Sequence, residues 1–322
     1  MDVFFVAGQR MFFLTLFIAT GFILSYLKLL KAPLLKWMAD SLYGVLLPII
    51  IFNSFYTSFR LEILFESVKF VCFFVLSLII ALVIGLVYGK YRKTPALVMG
   101  PLLFSGLFLN SGYISLSLVQ TLFSGPNSMY ADERALLYNT LAIIINNLFI
   151  GFTGNLVMSW FAPNKADRGK ANLRQILINP PLVGFLLGVI CYVLKLQLPG
   201  IAVQTLSLIG KATPLWAMII LGAMLYQCHW KTIFGDIEKY LLSVIRLLAT
   251  PLLLFLIARL FGGDQTLLLS LLIITGAPVV AIMPVFAKRN GMDANWGSGY
   301  TFLSTLLSMI TLPLLITIVS ML

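Results

Sequence analysis

The sequence predicts an all-α polytopic membrane protein with ten transmembrane helices in two inverted five-helix repeats. Three observations carry this. The 322-residue chain is 60% hydrophobic and 10% charged, with a mean hydropathy of +1.02. A soluble fold of that size could not bury so much apolar surface, so lipid must cover much of it. The chain divides into ten apolar stretches, and fourteen of its 22 Lys and Arg residues sit in every second gap between them or at the span ends beside it. Finally, residue patterns in the first half recur in the second at a constant offset of 166 positions.

A helix needs about 20 apolar residues to cross the hydrocarbon. The spans fall near 6-27, 35-58, 65-89, 97-123, 135-160, 176-195, 201-226, 238-260, 265-288 and 294-320. Span 1 has no small-residue cleavage site and no early basic region, so it reads as a retained helix rather than a signal peptide. The gaps after spans 1, 3, 5, 7 and 9 hold the basic clusters, such as Lys28, Lys31 and Lys36, or Lys90, Arg92 and Lys93. The other side has six basic residues, among them Arg134, Lys195 and Arg259. The cytoplasmic side retains Lys and Arg, so both termini are expected outside a multi-pass protein of the cell membrane. This distribution also accounts for the net charge of +11 without nucleic acid.

The loops are short. The longest, near 162-175, is basic and halves the chain. The expected organisation is a first repeat over 1-160, a cytoplasmic linker over 161-175 and a second repeat over 176-322. Ser41, Leu42, Gly44 and Pro48 in span 2 recur as Ser207, Leu208, Gly210 and Pro214 in span 7. Gly125 recurs as Gly291 at the same offset, and Leu27-Lys28-Leu29 resembles Leu194-Lys195-Leu196 at an offset of 167. Five spans per copy is an odd number, so the second copy must be inverted. Inverted repeats are a transporter architecture, with the site near mid-bilayer.

Spans 4 and 9 are interrupted near their middles. Span 4 contains Asn110-Ser111-Gly112-Tyr113, and span 9 contains Gly276-Ala277-Pro278-Val279. Asn110 corresponds to Gly276, and Gly112 to Pro278, under the shared offset. Gly weakens a helix interior and Pro removes a backbone donor. Such a break is tolerated in lipid only where it is buried or lines a cavity. Two half-helices starting there would turn unpaired N–H groups and positive dipole ends toward an anion. The alternative is a pair of simple kinks.

Among polar residues in the spans, Asn110 is expected to contact substrate, and Asn53 is a further candidate. Asn139, Asn146, Asn147 and Asn155 fit interhelical glue. Lys211 lies deep in span 7 and could neutralise a carboxylate. Arg246 lies nearer the cytoplasmic end of span 8, where snorkelling is expected. No Asp or Glu falls clearly at mid-membrane, which argues against cation/proton antiport; backbone carbonyls alone could still bind Na+. The single histidine, His229, reads as interfacial. Cys72, Cys191 and Cys228 have no metal-like spacing. No cofactor, no metal and no catalytic triad is expected.

These residues resemble the auxin efflux carrier family over nearly the whole chain. The resemblance rests on Leu46 to Phe52 and on Asn110-Ser111-Gly112-Tyr113 followed by Phe123-Ser124-Gly125. It continues with Asn179-Pro180-Pro181, Pro214 through Gly222, Gly276-Ala277-Pro278 through Ala287, Ser304 to Ser308 and Thr311-Leu312-Pro313. It implies ten helices, with spans 1, 2, 6 and 7 as a scaffold. Spans 3-5 and 8-10 would be a moving unit in which broken helices 4 and 9 cross. It also implies elevator-like alternating access and organic-anion substrates. Plant members carry Asn-Pro-Asn-Thr at the first crossing. Asn110-Ser111-Gly112 lacks that Pro, which points away from auxin, and the short central loop and compact chain resemble a bacterial malate- or malonate-permease-like member.

The expected function is therefore secondary transport of a small organic anion such as malate. The expected site is Asn110, Ser111, Gly112, Tyr113, Ala277, Pro278 and Val279, with Lys211 and Asn53. The partners are the anion and membrane lipid, with a homodimer as one assembly. One alternative is a Na+-coupled symporter of bile-acid-transporter-like type, and another is a non-transporting membrane sensor.

Overall fold

The computed structural model describes residues 3-46, 48-49, 52-53, 56, 67-123, 130, 132, 134-161, 180-226 and 233-320. For Tyr113, Gln120, Asn147 and Lys211 it describes the backbone alone. The basic linker 162-175, Gly125, Asn179, Cys228, His229 and Trp230 lie outside the described residues.

The described chain is nearly all helix. The elements are α1 (Val3–Tyr26), α2 (Ala32–Ser41), α3 (Val68–Arg92), α4 (Ala96–Leu107), α5 (Leu116–Phe123), α6 (Arg134–Phe149) and α7 (Asn155–Trp160). They continue as α8 (Pro180–Val193), α9 (Gly200–Tyr226), α10 (Ile237–Val244), α11 (Thr250–Leu260), α12 (Gln265–Thr275), α13 (Met283–Arg289) and α14 (Ala294–Ser320). Wider π-helical turns extend α2 (Leu42–Leu46), lead into α5 (Ser111–Ser115), and join α6 to α7 (Ile150–Gly154) and α10 to α11 (Ile245–Ala249).

Among the described residues, three helical stretches are long and apolar enough to cross a membrane: Val68–Arg92, Ile237–Leu260 and Ala294–Val319. Their outward faces are apolar at helical spacing. On α3, Phe70, Phe74, Leu78, Ala81 and Gly85 turn inward, while Ile79, Val83 and Val87 turn outward. On α14 the outward row is Leu306, Ile310, Leu314 and Ile318. Large apolar side chains left exposed in such rows suit a lipid solvent.

The helices form two groups that also pack on each other, α1 and α9 on α14, α1 on α5 and α8 on α6. α1, α2, α8 and α9 form one, in which α9 packs on α1 and α2, and α8 packs on the π-turn of α2. Small residues let these backbones touch. A methyl group on Gly21 would strike the Ile219 carbonyl, and one on Gly222 the Ile18 carbonyl. Likewise, a methyl group on Gly184 would strike the Pro48 carbonyl. The other group is α3 to α7 with α10 to α14, where α12 packs on α3, α5, α6 and α14, and α4 on α13 and α14.

Helix ends in the two halves match. Lys28 ends α1 with a φ of 59°, and Lys195 ends α8 with a φ of 51°. At both, the left-handed residue donates three residues back and the next N–H donates five back: Lys28 to Ser25 and Leu29 to Leu24, Lys195 to Tyr192 and Leu196 to Cys191. Lys93 after α3 and Gly262 after α11 repeat the same closure. This left-handed cap satisfies the last carbonyls of each helix.

Several clasps tie helix ends together. Arg92 pairs with Glu238 at 3.1 Å, and Arg134 pairs with Asp132 at 2.7 Å and Asp264 at 2.8 Å. The Asp293 N–H donates to Leu97 O, the Leu198 N–H to the Tyr56 hydroxyl, and Asn290 Nδ2 to Asn155 Oδ1. Each clasp joins two ends that the charge pattern expects on one side of the membrane.

Candidate functional site

The two interruptions meet. Helix α4 closes with the Phe108 N–H donating to Phe104 O, and Phe108 itself is extended, with φ −108° and ψ 126°. Helix α12 closes at Gly276, whose N–H donates to Leu272 O. The released strands then pair antiparallel at Leu109 and Val279. The Asn110 N–H donates to Pro278 O at 2.9 Å, and the Val280 N–H to Phe108 O at 3.3 Å. Each segment thus satisfies backbone groups that its own broken helix cannot, which resolves the cost of a break in an apolar interior.

Polar side chains brace this crossing. Asn146 Oδ1 accepts from the Leu109 N–H at 3.2 Å, and its Nδ2 donates to Leu109 O at 2.9 Å. Asn139 Nδ2 donates to Ser111 O, while its Oδ1 accepts from the Ser115 hydroxyl at 2.7 Å. The Ser304 hydroxyl on α14 accepts from the Val279 N–H. The glue reading of Asn139 and Asn146 is therefore correct in a specific sense: both hold the crossing itself. Asn155 pairs with Asn290, at the end of α13.

Asn110 differs from these braces. Its side chain is 1% exposed, yet neither its Oδ1 nor its Nδ2 has a protein partner. The Ser111 hydroxyl beside it is equally buried and unpartnered. A native fold seldom leaves several buried polar atoms unmatched in one place, so such a cluster calls for a ligand or solvent. Ala277, Pro278 and Val279 are buried on the facing strand. A methyl group on Gly112 would meet nothing within 4 Å, so open space adjoins the break. The backbone of Tyr113 continues the π-turn into α5.

The half-helices leaving the crossing are unequal. The first runs as a π-turn plus α5, Ser111 to Phe123, while α13 has only 7 residues. Of the two positive ends foreseen in the sequence, the one at Ser111 is the better developed.

Lys211 and Asn53 lie on other segments than the two breaks. Lys211 lies within α9, of the first packing group, and Asn53 follows α2 in the chain. Two other cations depart from expectation. Arg246 does not snorkel: it is 4% exposed, and its Nη1 donates to Thr275 O at 3.1 Å. Thr275 is the last residue of α12, so the guanidinium reaches the crossing rather than the membrane surface. Lys239, counted among the loop cations, is fully buried, 3.6 Å from Asp236 and 5.9 Å from the Trp296 ring centroid. Charge and distance from a helix end cannot reveal either burial. The sequence does carry a signal for Ser304: Ser298, Thr301, Ser304, Thr305 and Ser308 form a small polar stripe along α14, and all are buried.

A cavity of about 530 Å³ lies between the packing groups. Leu35, Ala39 and Asp40 of α2 and Ile220 of α9 line one side, and Val285, Lys288 and Arg289 of α13 the other, with Lys36 at the rim. Its lining includes the exposed cations Lys36, Lys288 and Arg289 beside the exposed Asp40.

Comparison with known proteins gives two findings. The family model described as "Membrane transport protein" matches residues 6–316. The chain is also similar to an "Uncharacterized transporter" of Methanothermobacter thermautotrophicus, 28% identical over 215 residues. That match covers 66% of this chain and 66% of the relative's length.

Proposed function

The chain belongs to the Membrane transport protein family, the auxin efflux carrier family, and we propose that it is a secondary transporter of a small organic anion. The proposed substrate is a carboxylate such as malate, carried across the cell membrane by elevator-like alternating access. One observation carries this reading: the bridged breaks at Leu109 and Val279 leave the buried Asn110 amide and Ser111 hydroxyl without protein partners. Amide, hydroxyl and backbone N–H groups at the start of a helix can together ligate a carboxylate.

We read the two helix groups, which meet along α1 and α14, as a division of labour. α1, α2, α8 and α9 would be the static scaffold, and the crossing would move with the rest. The cavity between α2 and α13 fits an access path from the cytoplasm. The matched caps at Lys28 and Lys195, and at Lys93 and Gly262, support two copies of one five-helix unit. The same-side clasps support ten spans with both termini outside. Asn110, Ser111, Gly112, Tyr113, Ala277, Pro278 and Val279 would contact substrate from the moving unit. Lys211 and Asn53 would act from the scaffold. No chemical conversion is assigned.

The test is uptake of radiolabelled malate, malonate and related carboxylates into proteoliposomes. Saturable uptake of at least one is expected, and absence of uptake for all contradicts the reading. An imposed Na+ gradient separates the coupled alternative: stimulation would favour a symporter.

A further inference from the structure

Arg246 occupies the π-helical turn between α10 and α11, nine residues into a stretch that crosses from Ile237 to Leu260. At 1.5 Å per residue this is about 14 Å from the inner end. A guanidinium stays charged at such a depth, and an uncompensated charge there is costly. Among the described residues, no carboxylate pairs with it: the ion pairs use Arg92, Arg134 and Lys239. Its ionisable neighbour is the Tyr300 phenol on α14.

The pattern of used and unused donors is informative. Nη1 is committed to Thr275 O. Nε and Nη2 are buried without a partner. Those two N–H groups lie along one edge of the planar guanidinium and point in parallel. That edge is the one that takes a carboxylate side-on through two parallel hydrogen bonds. The committed nitrogen ties the group to the end of α12, and three residues on, Pro278 O receives the Asn110 N–H. At the crossing itself the Asn110 amide and the Ser111 hydroxyl are also buried and unmatched, as is the Thr301 hydroxyl on α14, and all can donate. Buried donors and a cation without an ion pair suit an anion.

We infer that Arg246 is the carboxylate-binding residue of the crossing, taking one carboxylate on its Nε–Nη2 edge while Nη1 stays on Thr275. This rests on the organic-anion reading above and adds the residue that selects for charge. The contrary role is a purely structural one, in which the arginine only caps the α12 carbonyls.

Thermal unfolding of the purified full-length protein tests it, with acetate, malonate and L-malate each set against its neutral amide. The wild type should be stabilised by at least one carboxylate and not by the matching amide. Arg246→Lys keeps the charge and loses the fork, so its half-maximal concentration should rise at least tenfold. Arg246→Gln should fold and lose the carboxylate response. A folded Arg246→Gln whose response lies within twofold of wild type would overturn the assignment while leaving the anion reading intact. Failure of both variants to fold would make Arg246 a cap and would also overturn it. A wild type indifferent to all three acids would remove the anion reading itself, and this inference with it.

Discussion

Asn146 holds Leu109 by both of its backbone groups, accepting from the N–H at 3.2 Å and donating to the carbonyl at 2.9 Å. One amide thus replaces the two helical hydrogen bonds that Leu109 forfeits by lying in a break. The crossing is a braced structure, and its braces and its unmatched groups should respond differently to mutation.

Asn146→Ala should destabilise the protein by about 2 kcal/mol. Each orphaned buried group costs about 1–3 kcal/mol in soluble proteins, and single interhelical bonds in bilayers average about 0.6 kcal/mol. The melting temperature in detergent should fall, and uptake with it. A variant that melts like wild type would show that the brace carries no weight.

Asn110→Ala should do the reverse. Its amide has no protein partner to lose, so stability should stay within about 0.5 kcal/mol of wild type. Uptake at low substrate concentration should drop about tenfold, corresponding to about 1.4 kcal/mol. Gly112→Ala should also fold normally, because its new methyl group meets open space. Normal uptake by a well-folded Asn110→Ala would take that residue out of the site.

Lys195→Gly should stabilise the protein by about 0.5–1 kcal/mol, since a left-handed backbone strains any residue with a Cβ and glycine adopts it readily. Its φ of 51° places it in that region, and its side chain is exposed. Lys28→Gly should behave alike if the caps are equivalent. Calorimetry of both variants checks this, and a loss of stability in either would contradict the strain argument.

Arg134 hydrogen bonds, aided by the Thr266 hydroxyl at 2.7 Å, hold the Asp132 carboxyl down at about 2. An unfolded Asp titrates near 3.9, so the folded chain binds fewer protons below about pH 5. The stabilisation is complete above about pH 5 and is lost progressively as pH falls from there through 2. Melting temperature measured from pH 5 to pH 2 should fall less steeply for Asp132→Asn than for wild type. Equal slopes would show that the clasp does not contribute.

Much of this arrangement is legible in the residues. Gly276 and Pro278 announce one interruption, and the shared offset links it to the other at Asn110. The matched Leu-Lys-Leu triplets mark equivalent helix ends, although nothing in a lysine foretells its left-handed backbone. What stays hidden depends on lateral packing. Asn146 and Leu109 are 37 positions apart, and only the rotation of α6 against α4 brings them together. Arg246 is equally able to snorkel or to turn inward when judged from depth alone. Its neighbours on α12 and α14 decide the matter, and they come from later in the chain.

The central claim is that the meeting point of the two breaks is where the anion sits. A single cysteine in place of Ser111, with Cys72, Cys191 and Cys228 replaced, tests it most directly through its rate of alkylation in the reconstituted protein. A carboxylate that the protein transports should slow that reaction in proportion to occupancy, while its neutral amide should not. Alkylation that proceeds at one rate with and without the transported acid would place the anion elsewhere.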